Sequence, residues 1–447
     1  MTEPVHEIMT PEQQKGQWNE DQLEYRTEES KNDAESPKRH TSSLKHFNLR
    51  RQGKEPPTVQ EWGFPGELTH EQVEVYNKFR DEVNKRGGDF KQAVYSFGEC
   101  EGEAFTLTRW LRARKYKYED VITMVEEAVE CRASAKADDF YPDGFQALGC
   151  DTAIYLAQFP QMYTGKAKTG CPLFISKPGV LQSDALECIT TMEGILKFHW
   201  HVMVHDYGNR LRQYKEANPS FCRFESFCIL DLAHLSMQQL TSTCLDIVKK
   251  QSFIDSLCFP ETMNKMIIIN APRFFSLTWK VIKGWIDVRT ANKVELYSSK
   301  SVATKRLLEL VDKNELPSDY GGTGPTTDAI MAEQAANGSG VERVETHMMH
   351  IRKQTSYSYQ LEAHEEIQIY ICTKSTDEAS FSIVLDKNTP VVKGISVVSA
   401  NREPTEVSLT TEQKLSTPGL YKIKGESHSG MLKSNNFVVV IKVFSKK

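Results

Sequence analysis

The feature of the sequence that most constrains its fold is a short apolar run that ends abruptly before an aromatic segment. Met266 to Ile269 are consecutive apolar residues between polar ones, a pattern typical of a strand buried on both faces of a parallel sheet. Pro272 follows shortly after, and proline has no backbone N–H for a sheet ladder but suits the first turn of a helix. The sequence therefore predicts a strand followed directly by a helix.

The predicted helix is apolar over more than one face and has a basic edge. Its apolar residues are Phe274, Phe275, Leu277, Trp279, Val281, Ile282, Trp285 and Ile286. Arg273, Lys280 and Lys283 follow one another at spacings of seven and three residues, which makes them roughly collinear. Such a helix either lies deep in a core or covers an apolar cavity and contacts a membrane interface. The pattern alone leaves both interpretations open.

Composition excludes several classes of protein. The chain has 447 residues and a net charge of −5, so two or three domains are expected and no global attraction to nucleic acid. The ten cysteines form no Cys-x-x-Cys pair, which argues against a zinc knuckle and a disulfide framework. No run approaches the roughly eighteen apolar residues of a membrane span, and polar residues follow Met1. We therefore expect a cytoplasmic protein.

Changes of pattern along the chain predict its domains. Residues 1–65 are polar and read as a disordered tail. A capping box at Thr69–Gln72 opens a helical lobe at 66–136. Residues 137–325 alternate between strands and helices, which is typical of a mainly parallel α/β sheet.

The remaining sequence predicts a second kind of domain. Residues 326–340 are rich in Gly, Ala and Thr and are predicted to be a linker. In residues 341–447 apolar side chains recur with a period of two, which predicts an antiparallel β-sandwich. The expected fold class is α/β multidomain with an all-β carboxyl-terminal domain.

Several motifs in a fixed order resemble those of the CRAL-TRIO lipid-binding family, the fold of phosphatidylinositol/phosphatidylcholine transfer proteins. The motifs are Arg109-Trp-Leu-Arg-Ala-Arg-Lys-Tyr116, Phe259-Pro-Glu261, Ile268-Ile-Asn-Ala-Pro272, Thr290-x-x-Lys293 and Leu316-Pro-x-x-Tyr-Gly-Gly322. Pro418-Gly-x-Tyr421 and the closing strand are similar to a GOLD domain, which follows CRAL-TRIO in relatives of supernatant protein factor. The resemblance implies a helical lobe and a CRAL-TRIO domain before a GOLD-like sandwich.

The resemblance also implies a set of lipid-binding residues. The family's phosphoinositide head-group site corresponds here to Arg114, Lys115, Glu261, Thr290 and Lys293. Its phosphatidylcholine site corresponds to Ser226 and Cys228; a thiol is a weaker donor and acceptor than a hydroxyl, so a different, apolar second ligand is expected. Arg289 stands where the family commonly has proline. The gate and membrane helix would use Phe274, Phe275, Trp279, Ile282 and Trp285.

No catalytic motif accompanies these residues. The sequence lacks a phosphate-binding Gly-rich loop, a Gly-x-Ser-x-Gly elbow and a His-Glu-x-x-His zinc motif. His201 and His205 are one helical turn apart and close to His199, but no cysteine or carboxylate at matching spacing completes a metal site. We therefore expect no catalytic residues, no metal and no cofactor other than a bound lipid, and not an enzyme.

These expectations define a lipid carrier and two alternatives. The first is a cytoplasmic protein that binds phosphatidylinositol and a second hydrophobic ligand in an internal cavity and exchanges or presents it during transient membrane contact. The second carries a single hydrophobe such as a tocopherol, a retinoid or a sterol precursor. The third is a lipid-stabilised scaffold in trafficking or signalling, with protein partners on the sandwich. None of these three hypotheses includes a nucleic acid as a partner.

Overall fold

A computed structural model describes most of the chain. The described residues are 62–181, 183–286, 288–336, 340–386, 389–410, 413–428 and 435–446. All but the last four residues of the predicted tail, 1–65, lie outside these ranges.

The amino-terminal lobe is helical, as predicted. Its helices are α1 (His70–Arg86), α2 (Gly88–Val94), α3 (Glu103–Ala113) and α4 (Tyr118–Ala137). The capping box is confirmed: Thr69 Oγ1 accepts from the Gln72 backbone N–H at 3.2 Å, and Gln72 Oε1 accepts from the Thr69 N–H at 3.0 Å. Apolar side chains at helical spacing meet in one core around the fully buried Trp110. The short helix α2 was not predicted.

A mainly parallel five-stranded sheet follows two short helices, α5 (Gly144–Leu148) and α6 (Thr152–Gln158). Its strands are β1 (Gln161–Lys166), β2 (Pro172–Ser176), β3 (Ser226–Asp231), β4 (Met263–Ile269) and β5 (Val294–Leu296), adjacent in that order. Strands β2 to β5 are parallel, and β1 pairs antiparallel with β2. The predicted fold class is confirmed, although the partly polar strand β1 was not predicted.

The helices between and after these strands begin and end at other residues than the sequence predicts. They are α7 (Ser183–Ile189), α8 (Met192–His201), a π-helical turn (Val202–Tyr207), α9 (Gly208–Ala217), α10 (Ser242–Cys258), α11 (Phe275–Lys283), α12 (Val288–Asn292) and α13 (Lys300–Leu310). Apolar residues recur at helical spacing from Leu186 to Leu211, which predicts one helical stretch. The structure instead has a break, because Thr191 caps a new helix by accepting from the Gly194 N–H. Helix α11 ends before Gly284, a poor helix former, so Trp285 lies in the turn beyond it.

The segment predicted to be a linker, 326–340, contains a helix. Helix α14 (Thr327–Ala336) packs against β1, α6 and the first strand of the sandwich. Thr327 donates from its backbone N–H to Asp319 Oδ2 at 2.7 Å, and Ile330 is buried. The alanine-rich composition that suggested a flexible connection also favours a helix, and packing selects the helix here.

The carboxyl-terminal region is the predicted antiparallel β-sandwich. Its strands are β6 (Val341–Ile351), β7 (Gln354–Leu361), β8 (Glu365–Thr373), β9 (Ala379–Leu385), β10 (Thr389–Val397), β11 (Thr405–Ser408), β12 (Gly419–Ser427) and β13 (Asn435–Ser445). They form two four-stranded sheets, ordered β10-β9-β12-β7 and β11-β8-β13-β6. Alternate side chains such as Ile369, Phe381 and Phe437 fill the space between the sheets.

One sheet of the sandwich also packs against the α/β domain through its outer face. Val438 and Val440 on β13 are fully buried in a cluster with Leu186 and Ile189 of α7. Lys442 Nζ donates to Asp151 Oδ2 at 2.8 Å across the same boundary, and Lys374 pairs with Glu187. Because β13 is apolar on both faces, it belongs to two cores at once.

Candidate functional site

A buried ion-pair cluster lies beyond the end of α10, where the chain turns into β4. Lys293 Nζ donates to Glu261 Oε2 at 2.9 Å and to the Met263 carbonyl at 2.8 Å. Glu261 has a φ of 59°, a left-handed backbone conformation that costs energy for a residue with a side chain and is concentrated at functional sites. The strained turn aims this carboxylate at Lys293, which follows α12.

Two arginines complete the surroundings of Glu261. Arg112 Nη2 lies 3.5 Å from Glu261 Oε2, and Arg289 Nη2 lies 3.7 Å from Oε1. Burial alone would raise the pKa of Glu261, but attraction by Lys293, Arg112 and Arg289 outweighs it and lowers the pKa to about 2. The carboxylate is therefore ionised at neutral pH.

A second carboxylate joins the cluster from the residue before β3. Glu225 is paired with Arg112 at 3.7 Å and with Arg223 at 2.9 Å, and it accepts from Asn264 Nδ2 at 2.8 Å. Among the described residues, the cluster contains four cations (Arg112, Arg223, Arg289 and Lys293) and two carboxylates. Arginine and lysine side chains are the groups that bind phosphate in proteins.

The first described residues of the chain cover the arginines of this cluster. The Phe64 ring centroid lies 3.5 Å from the Arg112 guanidinium and 4.3 Å from that of Arg223, and Trp62 lies 5.8 Å from Arg289. Tyr116 holds the segment by donating to the Gly63 carbonyl at 2.5 Å. A Cβ at position 63 would come within 2.8 Å of the Tyr116 ring, so the close approach requires glycine.

The structure places the predicted head-group residues in two groups. Glu261 and Lys293 are in direct contact, and the Thr290 carbonyl accepts from the Lys293 N–H at 3.1 Å. Arg114 is half-buried and Lys115 is exposed at the end of α3, where Arg114 donates to the Ala113 carbonyl at 3.3 Å. The cation of this segment that meets Glu261 is Arg112.

Sequence reasoning missed Arg112 as a site residue, although a signal was present. Arg109 and Arg112 are three residues apart and therefore lie on one side of α3. Arg109 donates to the Pro260 carbonyl at 2.8 Å and forms a buried pair with Glu101. Both arginines thus attach the helical lobe to the turn that carries Glu261.

One face of the parallel sheet is not closely covered at its centre. Cross-strand register aligns the half-exposed side chains of Tyr163, Phe174, Cys228, Met266 and Val294 in a row across all five strands. Burial nevertheless raises the pKa of the Cys228 thiol to about 11. The Cys228 side chain thus keeps some accessible surface although its thiol is shielded from bulk water.

Ser226 and Cys228, the residues predicted to bind a second ligand, lie on this face of β3. Their Oγ and Sγ atoms are 3.5 Å apart, and Ser226 Oγ also lies 3.5 Å from the Thr262 carbonyl oxygen. The two groups interact with each other, and the neutral thiol adds little polar capacity. This part of the wall is consequently only weakly polar.

Helix α11 borders the same face at β4 and β5. Phe275 is buried, and Phe274, Trp279 and Ile282 pack with it against an apolar cluster that includes Met266 and Val294. On the opposite side, Leu277 and Val281 are 66% and 50% exposed. The helix is therefore apolar towards both the protein and the solvent.

The three histidines of the sequence analysis bond to separate groups. His199 Nε2 lies 2.7 Å from Asp255 Oδ1, whereas His201 and His205 are bonded to the carbonyls of Tyr141 and Asp139. Within the described ranges, no three or more His, Cys, Asp or Glu side chains gather to hold a metal ion. Nor do the described helices include one long and apolar enough to cross a membrane.

Comparison with known proteins defines the class of the α/β domain. Residues 156–322 match the family described as the CRAL/TRIO domain. This part of the chain is therefore a CRAL-TRIO domain, and the sandwich that follows is consistent with a GOLD-like domain.

The chain is homologous to Sec14-type proteins. It is 27% identical over 256 residues to phosphatidylinositol/phosphatidylcholine transfer protein SFH9 of Arabidopsis thaliana, covering 56% of this chain and 42% of SFH9. It is 29% identical over 269 residues to the SEC14 cytosolic factor of Eremothecium gossypii, covering 60% of this chain and 81% of that protein. The chain thus spans less than half the length of the plant relative. The crystal structure of Sfh5 aligns with 56% of this chain and 94% of its own at 14% identity and a TM-score of 0.41.

Proposed function

We propose that the protein binds phosphatidylinositol in an internal cavity and exchanges or presents it at membranes, without catalysis. The observation that carries this proposal is the row of half-exposed side chains on the inner face of the sheet, bordered by a helix that is apolar on both sides. Removing a two-chain lipid of about thirty methylenes from a bilayer costs on the order of 20 kcal/mol. An enclosed apolar wall offsets that cost.

The head group would bind at the cluster around Glu261. A phosphodiester carries one negative charge, which the positive excess of the cluster can neutralise. Glu261 would accept hydrogen bonds from inositol hydroxyls, and the Thr290 hydroxyl would donate or accept. Lys293, Arg112 and Arg289 would bind the phosphate. Arg114 and Lys115 would attract the anion from the end of α3. Phe64 must move for a head group to reach Arg112, and Trp62 must move for it to reach Arg289.

A second, apolar ligand would occupy the wall at Ser226 and Cys228. The two side chains interact with each other at 3.5 Å, and the thiol is neutral, so this wall offers little to a phosphocholine group. The same observation favours the alternative cargo, a single hydrophobe such as a tocopherol, retinoid or sterol precursor. No comparable observation favours a scaffold.

Membrane contact would be transient and made by α11. Phe274, Phe275, Trp279 and Ile282 pack on the inner side of this element, Trp285 follows it, and Leu277 and Val281 are exposed on its outer side. Residues that cover a cavity on one side and enter lipid on the other allow a ligand to pass without crossing water. A cytosolic location agrees with the name of the fungal relative.

Two measurements test the proposal. Mass spectrometry of lipids that co-purify with the full chain from a eukaryotic host should find phosphatidylinositol at near-stoichiometric amounts. A single tocopherol, retinoid or sterol species in its place would establish the alternative.

Vesicle-to-vesicle transfer of labelled phosphatidylinositol tests the head-group site. Lys293→Ala should reduce transfer at least about tenfold, because a charge-assisted hydrogen bond is worth about 1.5–3 kcal/mol. The matched control, Lys305→Ala, changes an exposed lysine on α13 and should leave transfer intact. Equal transfer by both variants would contradict the assignment of Lys293.

A further inference from the structure

The amino-terminal lobe contains a cavity that shares no residue with the cluster around Glu261. Its volume is about 160 Å³, and it lies between α2 and α4. The lining includes Asp89, Ser96, Arg132, Ala133, Lys136 and Phe140. The cavity is too small for a two-chain lipid and large enough for a small ion with a short organic substituent.

Arg132 is a buried cation for which no paired carboxylate occurs among the described residues. It is 7% exposed, and its Nη1 has no hydrogen-bond acceptor among the described residues. No carboxylate in the described part of the chain forms an ion pair with it. Most buried arginines here are paired, as Arg109 is with Glu101, so the cavity brings an unneutralised guanidinium to its wall.

Aromatic rings compensate only part of this charge. The guanidinium carbon lies 4.8 Å from the Phe140 ring centroid, 5.5 Å from that of Phe259 and 5.9 Å from that of Trp200. Such contacts attract a cation but accept none of its N–H groups in the plane of the guanidinium. Burial lowers the pKa of Arg132, but arginine keeps its proton in proteins. An oxyanion in the cavity would neutralise its charge.

Other donors surround the cavity on different elements. Lys136 lies one helical turn beyond Arg132 on α4 and is paired with Asp89 of α2. Ser96, which follows α2, contributes a hydroxyl that accepts from Arg109 Nη2 at 3.3 Å. Two cations against one carboxylate leave a positive excess. Donors on both sides suit a tetrahedral phosphate, which has oxygens in several directions, better than a planar carboxylate.

We propose that this cavity is a second anion site, which binds the phosphate group of a small soluble molecule through Arg132 and Lys136. A free phosphate and the phosphate of a lipid present the same oxygens to these cations. The cavity is too small for a lipid, so the ligand is a soluble molecule. The site would operate whether or not the CRAL-TRIO domain carries phosphatidylinositol.

Isothermal titration of the full chain with inorganic phosphate and with glycerol 3-phosphate tests the proposal. Binding at this cavity with a Kd below about 1 mM is expected. Ala133→Glu places a negative charge on the rim at an exposed position, and it should weaken binding at least about tenfold while the unfolding temperature stays unchanged. Ser134→Glu adds the same charge to an exposed neighbour that does not line the cavity, and it should bind as the parent protein does.

Flotation with vesicles that contain phosphatidic acid distinguishes the source of the phosphate. The proposal predicts that Ala133→Glu and Ser134→Glu float equally. It is overturned if the parent protein binds neither soluble phosphate, if both variants lose binding equally, or if Ala133→Glu changes only vesicle binding. In those cases Arg132 serves to stack the aromatic rings or to contact a membrane.

Discussion

Glu261 shows how much the environment of a single residue can differ from its sequence context. In the chain it follows a proline and looks like any acidic residue at a turn. In the fold it is 12% exposed and surrounded by three cations: Arg112 of α3, Arg289 of α12 and Lys293, the residue that follows α12. Lys293 was predicted to lie nearby, but Arg112 and Arg289 were not, because no local pattern reports a contact between residues 149 or 28 positions apart.

The pH dependence of stability should reveal this environment. The pKa of Glu261 is lowered from 4.5 to about 2 on folding, so its stabilising contribution is fully present above the unfolded pKa and is lost as the pH falls towards 2. The shift corresponds to about 3 kcal/mol, of which about 2 kcal/mol is lost by pH 3. Urea unfolding should show that the difference in free energy between the parent protein and Glu261→Gln shrinks by that amount between pH 6 and pH 3.

Glu119→Gln is the matched control for this measurement, since the Glu119 side chain is 84% exposed. The difference in unfolding free energy between Glu119→Gln and the parent protein should vary little with pH. If this difference depended on pH in the same way for Glu261→Gln and Glu119→Gln, the pKa of Glu261 would not be lowered in the folded protein.

At the scale of single elements, helix α11 shows which features of a helix the sequence predicts and which it does not. The apolar-aromatic pattern predicted a helix with apolar residues on several sides. In the structure, one of these sides packs on the inner face of the sheet and another is exposed to solvent. The pattern did not show where the helix would end. Its boundary at Lys283 depends on Gly284, whose low helix propensity is a weak signal beside the apolar residues that follow.

Membrane association should depend on the exposed side of α11. Leu277→Glu with Val281→Glu should reduce vesicle binding at least about tenfold, because each apolar side chain that enters lipid contributes on the order of 1.5 kcal/mol or more. Both side chains are largely exposed, so the unfolding free energy should change by no more than about 0.5 kcal/mol per substitution. Co-sedimentation with vesicles and thermal unfolding measure the two quantities.

The control for this helix is Val302→Glu, because Val302 is 51% exposed on α13. It matches the Val281→Glu half of the double variant, because it adds one negative charge in place of an equally exposed valine on another element. Comparable loss of vesicle binding from Val302→Glu would mean that net charge, and not α11, governs association.

At the scale of the whole molecule, the sandwich and the α/β domain share a buried boundary. Val438 and Val440 project from β13 into the cluster with α7, while Val439 and Ile441 project into the sandwich core. Phe437 to Val440 are consecutive apolar residues, and this run predicts the strand. It could not show that the second face would meet another domain, because an apolar face does not identify its partner.

Val440→Asp should therefore destabilise the protein far more than the same change elsewhere on the sandwich. A buried, unpaired carboxylate at this boundary should lower the free energy of unfolding by at least about 3 kcal/mol. Val384→Asp, at a half-exposed position on β9, should cost about 1 kcal/mol or less. Chemical denaturation of both variants checks this; equal losses would show that the boundary contributes nothing to stability.

The sequence by itself determined the local features: the capping box at Thr69, the buried strand at Met266–Ile269, the period-two strands of the sandwich and the order of the CRAL-TRIO motifs. These depend on backbone geometry and on the repeat of apolar residues, which neighbours in the chain specify. Only the tertiary structure decided which cations meet Glu261, which face of the sheet stays open and where the sandwich docks. Charge pairing and packing act between residues that are distant in sequence, so they are fixed only when the elements come together.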